Sequence, residues 1–192
     1  MNILSVDLTK KEHFIALNYE NNKYCFEFQT NDWLEKIDAL SKIENFNFKK
    51  LDCCAYAAGP GSFTGARLAF TFLNTLRLVH DVEFLAFSNL AAMNWLNDDK
   101  IPLIIGNNSD FYYRENKKDF YTQDLKKLES LENKLLMIEG SNANISPKLL
   151  IQRNQVAKNI INMVESKSKT YLDGNEPNYV KSISSVSYTH LR

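Results

Sequence analysis

Hydrophobic and polar positions in the first half of the chain follow the periods of both strands and helices. Short apolar runs bounded by polar turns predict strands, whereas apolar residues three and four positions apart after a capping side chain predict helices. The pattern predicts strands at 3–6, 13–19, 23–29, 51–57 and 83–87, and helices from 31 or 32 to 43, from 64 to 79 and from 88 or 89 to 96. This order is typical of a mixed α/β protein with an open sheet.

The second half of the chain has a weaker pattern. It predicts strands at 100–105, 111–113 and 134–138, a helix at 125–131 and a last helix from Ser146-Pro147 to about Glu165, with the proline in its first turn. We expect an N-terminal α/β lobe at 1–97 that contains a glycine loop, a shortened second lobe at 98–181, and a tail at 182–192. The tail has no usable periodicity, so we expect it to be disordered or non-native and assign it no function.

Composition narrows the class of protein. Of the 192 residues, 44% are hydrophobic, and 23 basic residues balance 23 acidic ones, so the chain can form a core and has no net charge. That neutrality argues against a strongly basic nucleic-acid-binding surface, and we interpret Lys117-Lys118 and Lys126-Lys127 as solvated surface. No run approaches the ~18 apolar residues of a membrane span. The first residues lack a signal-peptide pattern, and the cysteines lack metal spacing, so we expect a cytoplasmic protein.

A glycine-rich segment between a predicted strand and a predicted helix is the strongest candidate for a ligand site. Gly59, Gly61 and Gly65 surround the hydroxyl residues Ser62 and Thr64. Glycines permit close backbone approach, and the N–H groups of a helix N-terminus attract anions. The loop lacks the lysine of a Walker A motif and the third glycine of a dinucleotide fingerprint. On chemistry alone, the alternative that the glycines turn the chain and a hydroxyl caps the helix is slightly favoured.

The helix that follows this loop is apolar around much of its circumference. At ~100° per residue its apolar side chains cover an arc of about 200°, wider than the ~100° stripe of an ordinary surface helix. These side chains are Ala66, Leu68, Ala69, Phe70, Phe72, Leu73, Leu76 and Val79. One apolar face can pack on the sheet. The remaining apolar surface must be covered by a second element of the chain or by a partner protein. Few elements remain, so a partner is favoured. The predicted interface residues are Arg67, Leu68, Phe72, Leu76 and Val79.

The glycine loop also carries a family resemblance. The segment Gly59–Arg67, with the sequence GPGSFTGAR, resembles the signature of the TsaB (YeaZ) family. The turn Asp7-Leu8-Thr9 after the first strand, the segment 87–93 and the segment 177–181 are similar to weaker motifs of the same family. The resemblance is densest over residues 1–93.

This resemblance implies an α/β fold of the actin/Hsp70/sugar-kinase-like (ribonuclease-H-like) class, with a mixed sheet, flanking helices and a shortened second lobe. It implies a non-catalytic scaffold or activator of the complex that forms threonylcarbamoyladenosine on tRNA next to the anticodon. The implied partners are a TsaD-type catalytic subunit and a TsaE-type ATPase, with a homodimer when the chain is alone. Direct tRNA contact is left open. No cofactor is firmly implied, and ATP or ADP at the partner interface is the one candidate.

A nucleotide-binding role is the first alternative, as an ATPase or phosphotransferase of the same fold. In this class of fold an acidic residue after the first strand can position a metal–phosphate complex. The candidate cofactor-binding residues are Asp7, Thr9, Gly59, Gly61, Ser62, Thr64 and Gly65. The favoured interpretation of Asp7 is a turn aspartate that bonds its own backbone near Thr9.

A hydrolase or peptidase function is the weakest alternative. His13, His80 and His190 have no metal-binding spacing, so we expect no metal site. Ser62 is followed by Phe63-Thr64 and therefore does not lie in a Gly-x-Ser-x-Gly nucleophile elbow. We assign no catalytic residue.

Overall fold

Ten strands form two five-stranded sheets in the computed structural model, which describes residues 1–29, 31–106, 109–141 and 145–180. The first sheet consists of β1 (Ile3–Asp7), β2 (His13–Tyr19), β3 (Asn22–Phe28), β4 (Cys53–Ala57) and β5 (Glu83–Phe87). The second consists of β6 (Ile101–Ile105), β7 (Phe111–Glu115), β8 (Lys118–Thr122), β9 (Leu135–Ile138) and β10 (Leu149–Ile151). The α-helices are α1 (Trp33–Ser41), α2 (Phe63–His80), α3 (Asn89–Met93), α4 (Leu125–Glu129) and α5 (Gln155–Glu165). The mixed α/β architecture is confirmed, but it is built on two sheets.

The first sheet has the strand order β3-β2-β1-β4-β5 and is covered on both faces. Strands β1, β4 and β5 are parallel, and β2 and β3 form an antiparallel hairpin at the edge. Because side chains alternate along a strand, Leu4 and Cys54 pack with α1 and α2 on one face. Ile3 and Cys53 pack with α3 and α5 on the other. Burial on both faces explains why β1 and β4 are apolar at nearly every position.

Helix α2 begins within one residue of its predicted start and is 18 residues long. Ser62 is its N-cap, because the Ser62 hydroxyl accepts a hydrogen bond from the Gly65 N–H at 3.2 Å. Asp81 ends the helix in the left-handed conformation. The capping role expected as the alternative for the loop hydroxyls therefore belongs to Ser62.

The second sheet, with the order β10-β9-β6-β7-β8, differs from the sequence prediction in two places. The helix predicted from Ser146-Pro147 is wrong at its start: residues 149–151 form β10, paired in parallel with β9, and the helix begins at Gln155. Strand β8 was not predicted. It pairs with β7 across a two-residue turn at Asn116-Lys117. Lys117 and Lys118, expected to be solvated surface, are exposed on this hairpin.

The last helix connects the two parts of the chain. Although α5 follows the second sheet in sequence, its apolar face is buried against the first sheet, with Val156 and Ile160 fully covered. The strands before and after residue 97 thus form different sheets. The helices do not follow this division, because α5 packs on the first sheet. Lys181 and the predicted tail at 182–192 lie outside the described residues. No helix in the described ranges is both long enough and apolar enough to cross a membrane.

Candidate functional site

Three parallel strands of the first sheet end side by side, and each is followed by residues with polar or glycine character. The turn Asp7–Thr9 follows β1, the glycine loop Gly59–Gly65 follows β4, and Ser88-Asn89 follows β5. In open α/β sheets, ligands bind at the carboxyl edge of such strands. This edge is therefore the candidate site, and it brings together all seven predicted cofactor-binding residues.

Asp7 is fully buried and its carboxylate is occupied by its own turn. One carboxylate oxygen accepts hydrogen bonds from the Thr9 backbone N–H, at 3.0 Å, and from the Thr9 hydroxyl. The other oxygen lies 3.3 Å from the Lys10 ammonium group. This is the turn geometry that the sequence favoured for Asp7, with Lys10 as a further partner that sequence reasoning missed.

The glycine loop packs closely against that turn. The Ser62 N–H donates to the Thr9 carbonyl oxygen at 2.7 Å. A Cβ atom on Gly61 would lie 2.8 Å from the same oxygen, and its φ of +153° lies in the region that favours glycine. A Cβ on Gly65 would overlap the carbonyl oxygen of Leu8. Gly61 and Gly65 are thus explained by contact between two segments of the same chain.

Asn89 closes the network from the third strand, a role that the sequence did not reveal. Its side-chain oxygen accepts from the Gly59 N–H at 2.9 Å, and its amide donates to the Thr9 hydroxyl at 2.6 Å. Its backbone N–H donates to the Gly59 carbonyl oxygen at 2.9 Å. The only available signal was its position directly after a strand parallel to β1 and β4. Thr64, in contrast, is exposed at the start of α2.

Residues 177–180, here called the C-terminal strap, lie across the glycine loop. The Asn178 N–H donates to the Ala58 carbonyl oxygen at 2.8 Å, and the Tyr179 ring lies 4.8 Å from the Phe63 ring. Arg67 stacks 4.0 Å above the Phe63 ring and donates to the Tyr179 hydroxyl at 3.3 Å. A cavity of about 370 Å³ lies between the loop and the strap. Arg67, predicted as an interface residue, is thus already engaged within the chain.

A larger cleft of about 860 Å³ opens on the other side of the loop, between the two sheets. The glycine loop and the β1 turn form one wall, and β6 and residues 138–141 form the opposite wall. Three basic residues line the cleft, Lys10, Lys11 and Arg153, together with the acidic residues Glu12, Asp110 and Glu139, and Arg153 pairs with Glu12 at 3.1 Å. The cleft is large enough and polar enough for a nucleotide-sized ligand.

The predicted interface residues of α2 differ sharply in exposure. Leu76 is only 9% exposed and belongs to the core, so it cannot contribute to a partner surface. Phe72 is half-buried because the Trp33 ring of α1 stacks on it at 3.8 Å. Leu68 is also half-buried, whereas Val79 is 66% exposed. Leu78, which was not predicted, is 75% exposed. The surplus apolar surface of α2 is covered by α1 along its middle and uncovered at its C-terminal end.

Within the described residues, the side chains considered for a hydrolase or a metal site do not come together. Ser62 and His80 stand at opposite ends of α2, about 27 Å apart at 1.5 Å per residue. Within the described ranges, no three His, Cys, Asp or Glu side chains form a group suited to a metal ion. Burial raises the pKa of the Cys54 thiol to about 12 and raises that of Cys53 as well. His190 lies outside the described residues.

Comparisons with known proteins point to one family. The family model described as "TsaD: tRNA N6-adenosine threonylcarbamoyltransferase" matches residues 31–170. The tRNA threonylcarbamoyladenosine biosynthesis protein TsaB of Buchnera aphidicola is 25% identical, over 92% of this chain and 91% of that protein. The protein of the same name from Haemophilus influenzae is 28% identical, over 48% of this chain and 42% of that protein.

A solved structure confirms the fold. YeaZ from Pseudomonas aeruginosa has a TM-score of 0.66 with 13% identity, and the alignment covers 93% of this chain and 99% of that one. The similarity extends through both sheets, in agreement with the actin/Hsp70/sugar-kinase-like class expected from the sequence.

Proposed function

The chain belongs to the TsaD family as a TsaB (YeaZ)-type member, and from this membership we propose that it is a non-catalytic scaffold or activator in the synthesis of threonylcarbamoyladenosine on tRNA. Its proposed partners are a TsaD-type catalytic subunit and a TsaE-type ATPase, with a homodimer when no partner is present. Support for a pathway role comes from the names of the relatives and from the nearly full-length alignment with the Buchnera aphidicola protein.

The observation that carries the scaffold role is the uncovered end of α2. Leu78 and Val79 are exposed aliphatic residues in the last turn, and Leu34 on the neighbouring α1 is 76% exposed. Val79 continues the stripe formed by Leu68 and Phe72, because these positions are separated by four and seven residues. Exposed apolar side chains of this size favour burial by a partner. We therefore propose a partner surface at Leu78 and Val79, and not along the whole helix.

The absence of a catalytic role is supported by the state of Asp7. A carboxylate that positions a metal–phosphate complex needs free oxygen atoms directed to the ligand. Here one oxygen accepts hydrogen bonds from Thr9, whereas the other accepts none and lies 3.3 Å from the Lys10 ammonium group, so at most one oxygen, already beside a cation, is available to a ligand. We propose that any ATP or ADP binds at the partner interface, where the second protein would supply further contacts.

Binding of the TsaD-type subunit from the same organism tests this proposal. The purified chain and its Leu78→Glu/Val79→Glu variant are mixed with that subunit and separated by size-exclusion chromatography. We expect a complex with the wild type and at least a hundredfold weaker binding by the variant, because a buried, unpaired carboxylate costs about 3 kcal/mol or more. Leu150→Glu is the matched control, since Leu150 is 52% exposed on the other sheet. Equal binding by all three proteins would move the interface elsewhere.

Nucleotide binding by the chain itself is a second candidate function, favoured by the cleft of about 860 Å³ beside the glycine loop. Lys10, Lys11 and the N-terminus of α2 face this cleft and would complement a phosphate group. Isothermal titration of the isolated chain with ATP and magnesium distinguishes the two functions. Binding in the micromolar range that is lost in a Lys11→Glu variant would support an ATPase or phosphotransferase, and no heat at millimolar ATP would remove it.

A further inference from the structure

A second cleft, here called the lysine cleft, lies on the opposite side of the C-terminal strap from the glycine-loop cavity. Its volume is about 580 Å³. The β7–β8 hairpin supplies Arg114, Lys117 and Lys118, and the segment after α5 supplies Lys169 and Tyr171. Four cationic side chains thus come together from two regions of a chain whose net charge is zero.

The acidic residue in the lysine cleft is neutralised by the protein. Asp119 accepts hydrogen bonds from the Ser88 hydroxyl and from the Asn178 amide, the latter at 3.0 Å, and it forms an ion pair with Arg114. Asp119 and Arg114 therefore compensate each other and hold the hairpin against the strap. The positive charge of this cleft that remains available to a ligand therefore comes from the three lysines, Lys117, Lys118 and Lys169.

Those three lysines have no acidic partner within the part of the chain that the structure describes. Lys117, Lys118 and Lys169 are all exposed, and no described carboxylate lies within 4.0 Å of their ammonium groups. Lys10, Lys42 and Lys50, in contrast, each pair with an acid. Clustered cations without counter-charges raise the local potential and attract polyanions.

The hairpin turn fixes the position of Lys117. Asn116 and Lys117 have φ values of +49° and +62°, as in the two-residue hairpin turn that favours asparagine followed by glycine. Lys117 therefore occupies a position where glycine would be less strained. The turn places the lysine at the tip of the hairpin, beside Lys118.

We propose that the lysine cleft binds the phosphate backbone of RNA, with Lys117, Lys118 and Lys169 contacting phosphates and Tyr171 stacking on a base. Tyr171 is 45% exposed in the cleft. A polar groove that combines cations with an exposed aromatic ring is the arrangement that single-stranded nucleic acid uses, because every base has a face that can stack. This inference rests on the proposed function, for which the RNA is the tRNA to be modified.

The lysine cleft is separate from the partner surface. Asn178 and Val180 of the strap line both the lysine cleft and the glycine-loop cavity, which is at the N-terminal end of α2. Leu78 and Val79 are in the last turn of the same helix, about 22 Å from its first residue at 1.5 Å per residue. Substitution of the lysines therefore leaves the partner surface unchanged.

The test measures binding of a tRNA transcript to the full-length chain by fluorescence anisotropy at several salt concentrations. The triple variant Lys117→Gln/Lys118→Gln/Lys169→Gln removes the proposed phosphate contacts. Lys49→Gln/Lys134→Gln/Lys148→Gln is the matched control, since it removes the same charge from exposed lysines outside the cleft. A third protein, Tyr171→Ala, removes the stacking surface.

We expect the triple variant to bind about 10- to 100-fold more weakly than the wild type at low salt, and the slope of log K against log salt to fall by about 2 to 3. We expect Tyr171→Ala to weaken binding at least fivefold without changing that slope. The control should bind within twofold of the wild type. Equal binding by the triple variant and the wild type, or an equal loss in the control, would overturn the proposal. Displacement of tRNA by polyglutamate of matched charge as efficiently as by unlabelled tRNA would also overturn it, in favour of an acidic protein.

The same variants separate this inference from the proposed function. If the triple variant still forms the complex with the TsaD-type subunit and binds tRNA normally, only the lysine cleft proposal fails. If the wild type forms no such complex, the proposed function fails whatever the result with tRNA.

Discussion

The two ends of α2 differ in how fully their backbone and side-chain groups are hydrogen-bonded or covered by other parts of the same chain. At the N-terminal end, the loop with the most recognisable sequence is bonded to the turn after β1, to Asn89 and to the strap. At the C-terminal end, Leu78 and Val79 have no comparable cover. A motif that stands out in the sequence can thus serve the fold, while unremarkable aliphatic residues form the free surface. We therefore take exposure, and not the glycine pattern, as the guide to the proposed partner surface.

The largest effect that sharpens this comparison is expected at Gly65. Gly65→Ala should destabilise the protein by about 3 kcal/mol, because the new Cβ would overlap the Leu8 carbonyl oxygen and neither backbone segment can move freely. Chemical denaturation measures the change. Gly174→Ala is the control: a Cβ there has no neighbour within 4 Å, so only its φ of +77° costs energy, about 1 kcal/mol. Equal losses in the two variants would mean that the glycine loop is not packed as described.

Substitutions of Leu76 and Leu78, which are two positions apart, should affect different properties: the first the stability of the fold and the second the binding of a partner. Leu76→Ala removes a core side chain and should lower the free energy of unfolding by about 2 kcal/mol. Leu78→Ala should change it by less than about 0.5 kcal/mol, because Leu78 is exposed. Partner binding should show the reverse order. If Leu78→Ala unfolds the protein more easily than Leu76→Ala, the orientation of α2 is wrong.

Asp7 tests whether the β1 turn is structural. Asp7→Asn should destabilise the protein by about 1 kcal/mol, since a charged hydrogen bond and the contact with Lys10 are weakened. The double variant Asp7→Asn/Lys10→Met should lose less than the sum of the single variants, because Lys10 then has no charge to leave unpaired. Additive losses would show that Asp7 and Lys10 do not interact.

The prediction that bears least on this comparison concerns the relative rates at which the three cysteines react with a thiol reagent. Burial raises the thiol pKa of Cys53 and Cys54, which lie on opposite faces of β4, and raises that of Cys25 as well, but only Cys25 is exposed, on the edge strand β3. Iodoacetamide at pH 8 should modify Cys25 at least a hundredfold faster than the other two, because the thiolate is the reactive form. Mass spectrometry of the folded protein identifies the modified residue. Similar rates at all three thiols would show that the first sheet opens readily.

The sequence predicted the first sheet well because its elements have strong local patterns. Strand β5 has the predicted bounds, and α2 differs by one residue at each end. Strands β8 and β10 were missed because the first is rich in charged residues and the second has only three residues. Both are strands because a neighbouring strand pairs with them, which overrides local preference.

At the candidate site, the sequence identified the loop residues but not what holds them. The bonds from Asn89 and the strap join residues 30 to 120 positions apart, a separation that no local pattern encodes. The apolar arc of α2 was recognised, yet its division into covered and uncovered parts depends on the stacking of Trp33 on Phe72. Leu76 was therefore assigned to the interface and lies in the core, whereas Leu78 was omitted and is exposed.

The most direct test of the central claim is the amount of threonylcarbamoyladenosine in tRNA, measured by mass spectrometry in cells depleted of this protein. The cells carry plasmids for the wild type, for Leu78→Glu/Val79→Glu or for the control Leu150→Glu. We predict that depletion removes the modification, that the wild type and the control restore it, and that the variant at the end of α2 does not although it accumulates as a folded protein. Normal modification in depleted cells, or full restoration by the Leu78→Glu/Val79→Glu variant, would contradict the account.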